Sequence, residues 1–179
     1  ALPPDVTGVI HKRRPIFLGR WMKHGVYPVK LLRLFRYGAA RCEQRHMDEH
    51  MELSRGRAVE FEHDFVDENL NGLGWWAHKH VDYSARELAD LEDILSSAAA
   101  DSGINGQAER KRAMKERYAR QPLFWRSFAY FCYRYFLKLG FLDGREGFLW
   151  HFMQGWWYRT LVDARQFEKQ KKGSGKTAR

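Results

Sequence analysis

The spacing of apolar residues changes once along this chain, and that change limits the fold more than any other feature. Up to about Asn69 the apolar runs are short, β-prone and punctuated by glycine and proline; from Leu73 onward they recur every three or four residues. A sheet region followed by helices satisfies both halves. Residues 7–17 read as a strand, because Pro15 argues against a helix there. Residues 18–25 form a short amphipathic piece closing on Gly25, and residues 27–36 are again apolar and β-prone after a Tyr27-Pro28 turn. Residues 57–65 alternate apolar and polar with a period of two. Between these last two runs lies Arg41-Cys-Glu-Gln-Arg-His-Met-Asp-Glu-His50, which gathers two arginines, two histidines and three carboxylates. Charge at that density between strands marks a candidate site.

The second half predicts helices. Over residues 73–98, Trp76, His80 and Tyr83 share a stripe that Leu88, Leu91 and Leu95 continue, with Asp90, Glu92 and Asp93 expected to face water. Asn69 or Asn71 is placed to cap this helix, and Ser84-Ala-Arg-Glu87 matches a capping box, so a start or kink is expected there. Residues 99–106 break the pattern with glycine and small polar residues, and residues 107–120 read as a basic helix with few apolar anchors. Pro122 suits a first helical turn, and residues 123–139 are aromatic nearly throughout. Arg126, Ser127, Arg134 and Lys138 fall within one arc of roughly 120° at helical spacing. These charges interrupt the run too often for a bilayer span of ~20 apolar residues. It reads as a helix lying in the membrane plane with its arginines toward headgroups, or as a hairpin buried against the sheet or a second subunit. Asp143-Gly-Arg-Glu146 resembles a capping box for a second such helix bearing Phe148, Leu149, Trp150, Phe152, Trp156 and Trp157. The tail, 169–179, is basic and expected to be disordered, and its Gly173-Ser-Gly-Lys-Thr177 lacks the glycine spacing of a phosphate loop.

With 179 residues, the chain can bury one real core. Its formal charge of +9 points to an anionic partner: nucleic acid, a phosphorylated sugar donor or lipid headgroups. Aromatic residues at 15%, interleaved with Arg and Lys, fit a membrane interface or a stacking surface better than an ordinary soluble core. Cys42 and Cys132 are far apart without metal-type spacing, which makes a reduced, cytoplasmic setting the expectation. No secretory pattern opens the sequence and no initiator Met is present, so a fragment is expected.

Tyr27-Pro28, Arg33-Leu-Phe-Arg36, Arg45-His-Met-Asp-Glu-His50 and Trp75-Trp-Ala-His-Lys-His-Val-Asp-Tyr83, in that order, resemble the C-terminal half of a bacterial family 2 glycosyltransferase of the GT-A type. The closest pattern is that of enzymes building lipopolysaccharide cores and exopolysaccharides, and it runs from about Thr7 to about Glu87. The resemblance implies an α/β fold, a partial GT-A sheet, followed by a mostly α-helical, aromatic-rich region. Residues 1–98 would be the acceptor-side portion, 99–168 an amphipathic, membrane-associating region and 169–179 a basic tail. The family's DxD donor-metal motif does not occur in these residues.

The resemblance implies roles as well. Glu49 would be the general base that takes the proton of the acceptor hydroxyl, opposite the leaving nucleoside diphosphate, with Asp48 orienting it. Arg45 and Lys79 would offset diphosphate charge. Arg33 or Arg36 would reach a donor phosphate, though both read equally well as arginines that keep a strand edge soluble. Trp75 and Trp76 would wall a sugar cleft or else pack in a core, and His63 would help hold a divalent metal, Mg or Mn, or be an ordinary surface histidine. The implied partners are a nucleotide-sugar donor, a glycan or lipid-linked acceptor and an anionic membrane surface, with no nucleic acid. The implied location is peripheral, on the cytoplasmic inner face of the bacterial cytoplasmic membrane. Two other classes compete: a basic, aromatic-rich nucleic-acid-binding protein, and a catalytically silent membrane adaptor. Against the first, the aromatics lie on helical stripes and no nucleic-acid motif appears.

Overall fold

A computed structural model describes residues 3–43, 47, 50–97 and 107–176. In chain order its elements are β1 (Val6–Phe17), β2 (Arg20–Trp21), β3 (Val29–Phe35), β4 (Ala40–Cys42), β5 (Met51–Leu53), β6 (Arg57–Glu60), β7 (Phe65–Glu68), α1 (Leu73–Ser97), α2 (Gln107–Ala119), α3 (Trp125–Cys132), α4 (Gly144–Trp150) and α5 (Tyr158–Lys176). π-Helical stretches at Tyr133–Leu137 and His151–Trp157 and a 3-10 turn at Gly140–Asp143 join the later helices. The expected class, an α/β sheet region followed by an aromatic-rich helical region, is the one observed. Two compact units form: Ala1–Gly72 with Arg134–Trp150, and Leu73–Tyr133 with His151–Arg179.

In the first unit everything pairs with β1. Along one edge it takes β3 antiparallel, from Gly8↔Phe35 to Arg13↔Val29, and then β2 at Phe17↔Arg20. Along the other it takes β6 parallel, from Val6↔Arg57 to Ile10↔Glu60, and then β7 from Arg13↔Phe65 to Ile16↔Glu68. Pro15 lacks a donor, and it sits beyond the last β3 pair, where its carbonyl accepts the Met22 N–H at 2.9 Å. The alternating run 57–65 is two strands and not one, because Asp64 leaves the strand to meet the Arg14 guanidinium at 3.3 Å and the Tyr27 hydroxyl at 3.3 Å. Val6, Val9, Phe17, Met22 and Ala39 form the buried apolar set.

The later segment joins this unit through polar contacts. Asp143 is buried, and its carboxylate accepts the His24 backbone N–H at 2.8 Å and meets His24 Nδ1 at 2.7 Å, so its observed partners lie on His24 and not in the expected capping box. Gly147 allows the tight turn beneath it: a Cβ there would come within 2.6 Å of Asp143 Cβ and 2.7 Å of the Gly140 carbonyl. Arg134 Nε donates to the Gly25 carbonyl at 3.1 Å, and Trp150 meets Phe17 edge-on at 5.2 Å.

The second unit is a helical bundle with an apolar centre of Leu91, Ala119, Tyr158 and Val162, against which Leu88, Leu95, Tyr83 and Trp157 pack. The leucine stripe of α1 therefore faces inward as its spacing predicts. Its carboxylates do not all face water: Asp90 and Glu87 are buried on Lys115 of α2, at 2.5 and 3.3 Å. α1 does not start at Ser84, which is buried mid-helix, bonding the Val81 carbonyl and accepting from Arg165 Nε at 2.6 Å. Asn69 folds back on Asn71, with Oδ1 accepting its N–H at 3.2 Å, and that places neither as a side-chain cap on α1. The basic tail is helical to Lys176, carried by the Glu168–Lys172 pair one turn apart and by Lys169 reaching Glu92 of α1, both near 2.7 Å.

The aromatic helix is inverted relative to the membrane-plane expectation. Arg126 is 2% exposed, and its guanidinium meets Asp163 Oδ1 at 2.6–2.7 Å, the Ala119 carbonyl at 2.7 Å and Gln166 at 2.7 Å. Asp163 also accepts the Phe124 N–H at 2.8 Å, and Ser127 bonds Thr160 at 3.0 Å. Arg126, Ser127 and Arg134 of the polar arc thus turn inward, while Lys138 is exposed and Trp125 is 63% exposed. Removing one partner strands a buried charge, so Asp163→Ala is expected to cost about 3–5 kcal/mol in urea denaturation, and Arg126→Met with Asp163→Leu together far less.

Candidate functional site

The charged run sits on a hairpin of its own. β4 and β5 pair antiparallel at Ala40↔Leu53, Arg41↔Glu52 and Cys42↔Met51, and the Glu43 N–H closes the next rung on the His50 carbonyl at 2.8 Å. Arg41 and Glu52 add a cross-strand ion pair at 3.3 Å. The stem meets the sheet through Leu53, while backbone bonds close its base and the end of β3. Ser54 N–H bonds the Ala39 carbonyl and Arg36 N–H the Thr7 carbonyl, each at 2.9 Å. Leu53 lies over Gly8, where an added Cβ would stand 2.7 Å from Leu32 and 3.0 Å from Leu53. Residues 44–49 therefore leave from and return to a pinned stem. Arg45, Asp48 and Glu49, the expected charge-offsetting arginine, orienting carboxylate and base, lie outside the described residues. His50, at the stem, is exposed.

Elsewhere the expected site residues divide. Arg36 is exposed, and its Nε donates to the Val6 carbonyl at 3.0 Å, a bond that ties the chain after β3 to β1. Arg33 is exposed, with its guanidinium 5.5 Å from the Phe65 ring centre. His63 is exposed and edge-on to Phe61 at 5.6 Å. Its neighbour Asp64 is committed to Arg14 and Tyr27, and among the described residues no three His, Cys, Asp or Glu side chains gather as metal ligands. The described donors around His63 do not complete a set for Mg²⁺ or Mn²⁺.

Trp75 and Trp76 cannot both face out, since adjacent helical residues diverge by about 100°. Trp76 is buried, its indole stacked on His80 at 3.5 Å and tilted to Trp157 at 6.4 Å, so it is core and not a cleft wall. Trp75 is 47% exposed, and Lys79 Nζ stands 4.9 Å from its ring and 5.2 Å from that of Tyr83. The structure thus brings Lys79 to Trp75 on the outer side of α1.

One cluster has no sign in the sequence spacing. Trp21 carries the Arg14 guanidinium at 4.3 Å and Lys23 Nζ at 4.7 Å from its ring centre, with Tyr27 edge-on at 5.4 Å. It arises because the β1–β2 register sets Ile16 opposite Trp21, a pairing local sequence does not specify. Comparison with family models, with curated proteins and with solved structures returns no match for this chain.

His80 supplies a pH handle on the second unit. Burial pushes its imidazole below the ordinary value of 6.5, outweighing its bond to the Trp76 carbonyl at 2.8 Å. The folded ring resists the proton that the unfolded chain accepts, so its contribution is complete above about pH 6.5 and is lost as pH falls below that. Denaturation midpoints at pH 7.5 and 5.5 are expected to differ more for the parent chain than for His80→Gln. For the hairpin, Gly8→Val is expected to cost about 1–3 kcal/mol by overpacking Leu32 and Leu53, and to speed amide exchange at Glu43.

Proposed function

We propose that this chain is the acceptor-side portion of a membrane-peripheral, family 2 glycosyltransferase. It would move a sugar from a nucleotide donor to a lipid-linked or polysaccharide acceptor in cell-envelope glycan synthesis, at the inner face of the cytoplasmic membrane. The observation that carries the reading is the pinned β4–β5 stem: a hairpin seated on the sheet by Leu53 and closed at Glu43–His50, from which the run holding Asp48 and Glu49 departs.

In the reaction, the acceptor hydroxyl oxygen forms a bond to the anomeric carbon as the bond to the nucleoside diphosphate breaks, and the leaving group carries away that electron pair. Glu49 takes the hydroxyl proton, and Asp48 orients it. Arg45 offsets the diphosphate's charge, and exposed Arg33 stands as a donor-side cation. Mg²⁺ or Mn²⁺ enters only through His63, whose ligand set needs donors beyond the described residues, and no step is assigned to it.

Nucleic-acid binding draws less support. Lys12, Arg13, Arg14, Lys30 and Arg57 on the sheet are each paired with a carboxylate of the same unit, which lowers the net charge these side chains offer a phosphate backbone. The deciding variant is Glu49→Gln in the complete protein. Transfer is expected to fall by at least about 10³-fold while nucleotide-sugar affinity stays within about threefold. Undiminished transfer would overturn the assignment, and membrane association with neither donor binding nor transfer in the parent protein would favour the silent adaptor.

A further inference from the structure

The segment after Arg134 shows the same inversion as α3, in a form that names its partner. Phe136, Leu137, Leu139, Phe141, Leu142 and Phe148 are each at least 43% exposed, Leu137 to 76%. Two polar side chains of the segment turn inward instead: Arg134 to the Gly25 carbonyl and Asp143 to His24. Six large apolar side chains left outward within thirteen residues exceed the scattered exposure of an ordinary surface. They are also held in place. Tyr135 meets Phe136, Phe141 and Phe148 edge-on at 5.1, 6.2 and 5.8 Å, and Leu139 keeps a left-handed backbone, φ 60°, that leucine disfavours.

The charge around this patch has one sign. Lys138 and Arg145 are exposed, whereas Asp143 is buried and Glu146 is tied to Arg20 at 3.5 Å. Arg145 borders a shallow recess of about 560 Å³ with Tyr135, Phe141 and Phe148, which sets a guanidinium beside an apolar floor. Apolar rings flanked by cations complement anionic headgroups over acyl chains. A second copy would bring two positive rims together. No described helix is long and apolar enough to cross a membrane, so contact on this face is interfacial.

We infer that Phe136–Leu142, with Phe148, is a preformed wedge that inserts among the headgroups of an anionic bilayer, with Lys138 and Arg145 binding lipid phosphate at its rim. This deepens the membrane-peripheral part of the proposed function and rests on it. The test uses the full chain with vesicles of phosphatidylcholine containing or lacking phosphatidylglycerol. The parent chain is expected to bind the anionic vesicles, with amide exchange slowed at residues 136–148. Leu137→Gln with Phe141→Gln should lower the partition coefficient at least about tenfold, and Lys138→Glu or Arg145→Glu about fivefold each at low salt. Unchanged circular dichroism and thermal midpoints certify that the variants fold; both pairs are exposed, and Leu137→Ala serves as a milder probe should the glutamine pair unfold. Vesicle binding that survives these changes, or protection elsewhere, overturns the wedge and leaves membrane association standing. No binding by the parent chain overturns both. A dimer in the absence of lipid that Leu137→Gln disperses assigns the face to a second copy and overturns the wedge.

Discussion

The contact between Arg126 and Asp163 decides which side of the aromatic helix is inside. A guanidinium and a carboxylate, both nearly inaccessible, must stay together, because either one alone in that interior would cost several kcal/mol. Their position on α3 and α5 fixes the rotation of α3 about its own axis. The rings that share the helix with Arg126 then have only the remaining directions available, and Trp125 ends on the surface. Arg134 acts in the same way in the other unit through the Gly25 carbonyl. The aromatic surface thus follows from where the arginines are satisfied and does not depend on a shortage of core.

The sheet answers to a comparable constraint. β1 is long enough, at twelve residues, to serve two partners on each edge, and it accepts parallel strands on one side and antiparallel strands on the other. That arrangement leaves β4 and β5 out of the main sheet and free to form a separate hairpin, held by Leu53 against Gly8. Glycine at that position is what lets a leucine from another layer approach the strand. The stem carrying the carboxylate run therefore depends on a missing side chain as much as on any contact made.

Much of this could be read from residue order alone. Strands at β1 and β3 and helices at α1, α2, α3 and α4 follow from periodicity, proline and glycine, and the inward Leu88–Leu91–Leu95 stripe follows from spacing, whereas the basic end of α5 reads as a disordered tail. The partners of charges could not. Periodicity says that Arg126 and Ser127 share a face, but an arginine arc facing lipid and one facing a buried aspartate look alike in sequence. Asp163 lies 37 residues away on another helix, and nothing local couples the two. Asp90 was open to the same ambiguity, resolved by Lys115, and so was Trp76, since adjacent tryptophans give no hint of which one turns inward. The carboxylate pair at 48 and 49 falls outside the described residues, so only its stem speaks to it.

The first unit is discontinuous in sequence: His24 finds Asp143 across 119 residues, and the whole of Leu73–Tyr133 intervenes. On a ribosome, β1 would emerge long before the residues that complete its surroundings. At about 5–20 residues per second, the wait is on the order of ten seconds, during which Phe17 and His24 are without their final neighbours. Such a nascent chain is a natural client for a chaperone, and faster synthesis through the intervening helices would shorten its exposure.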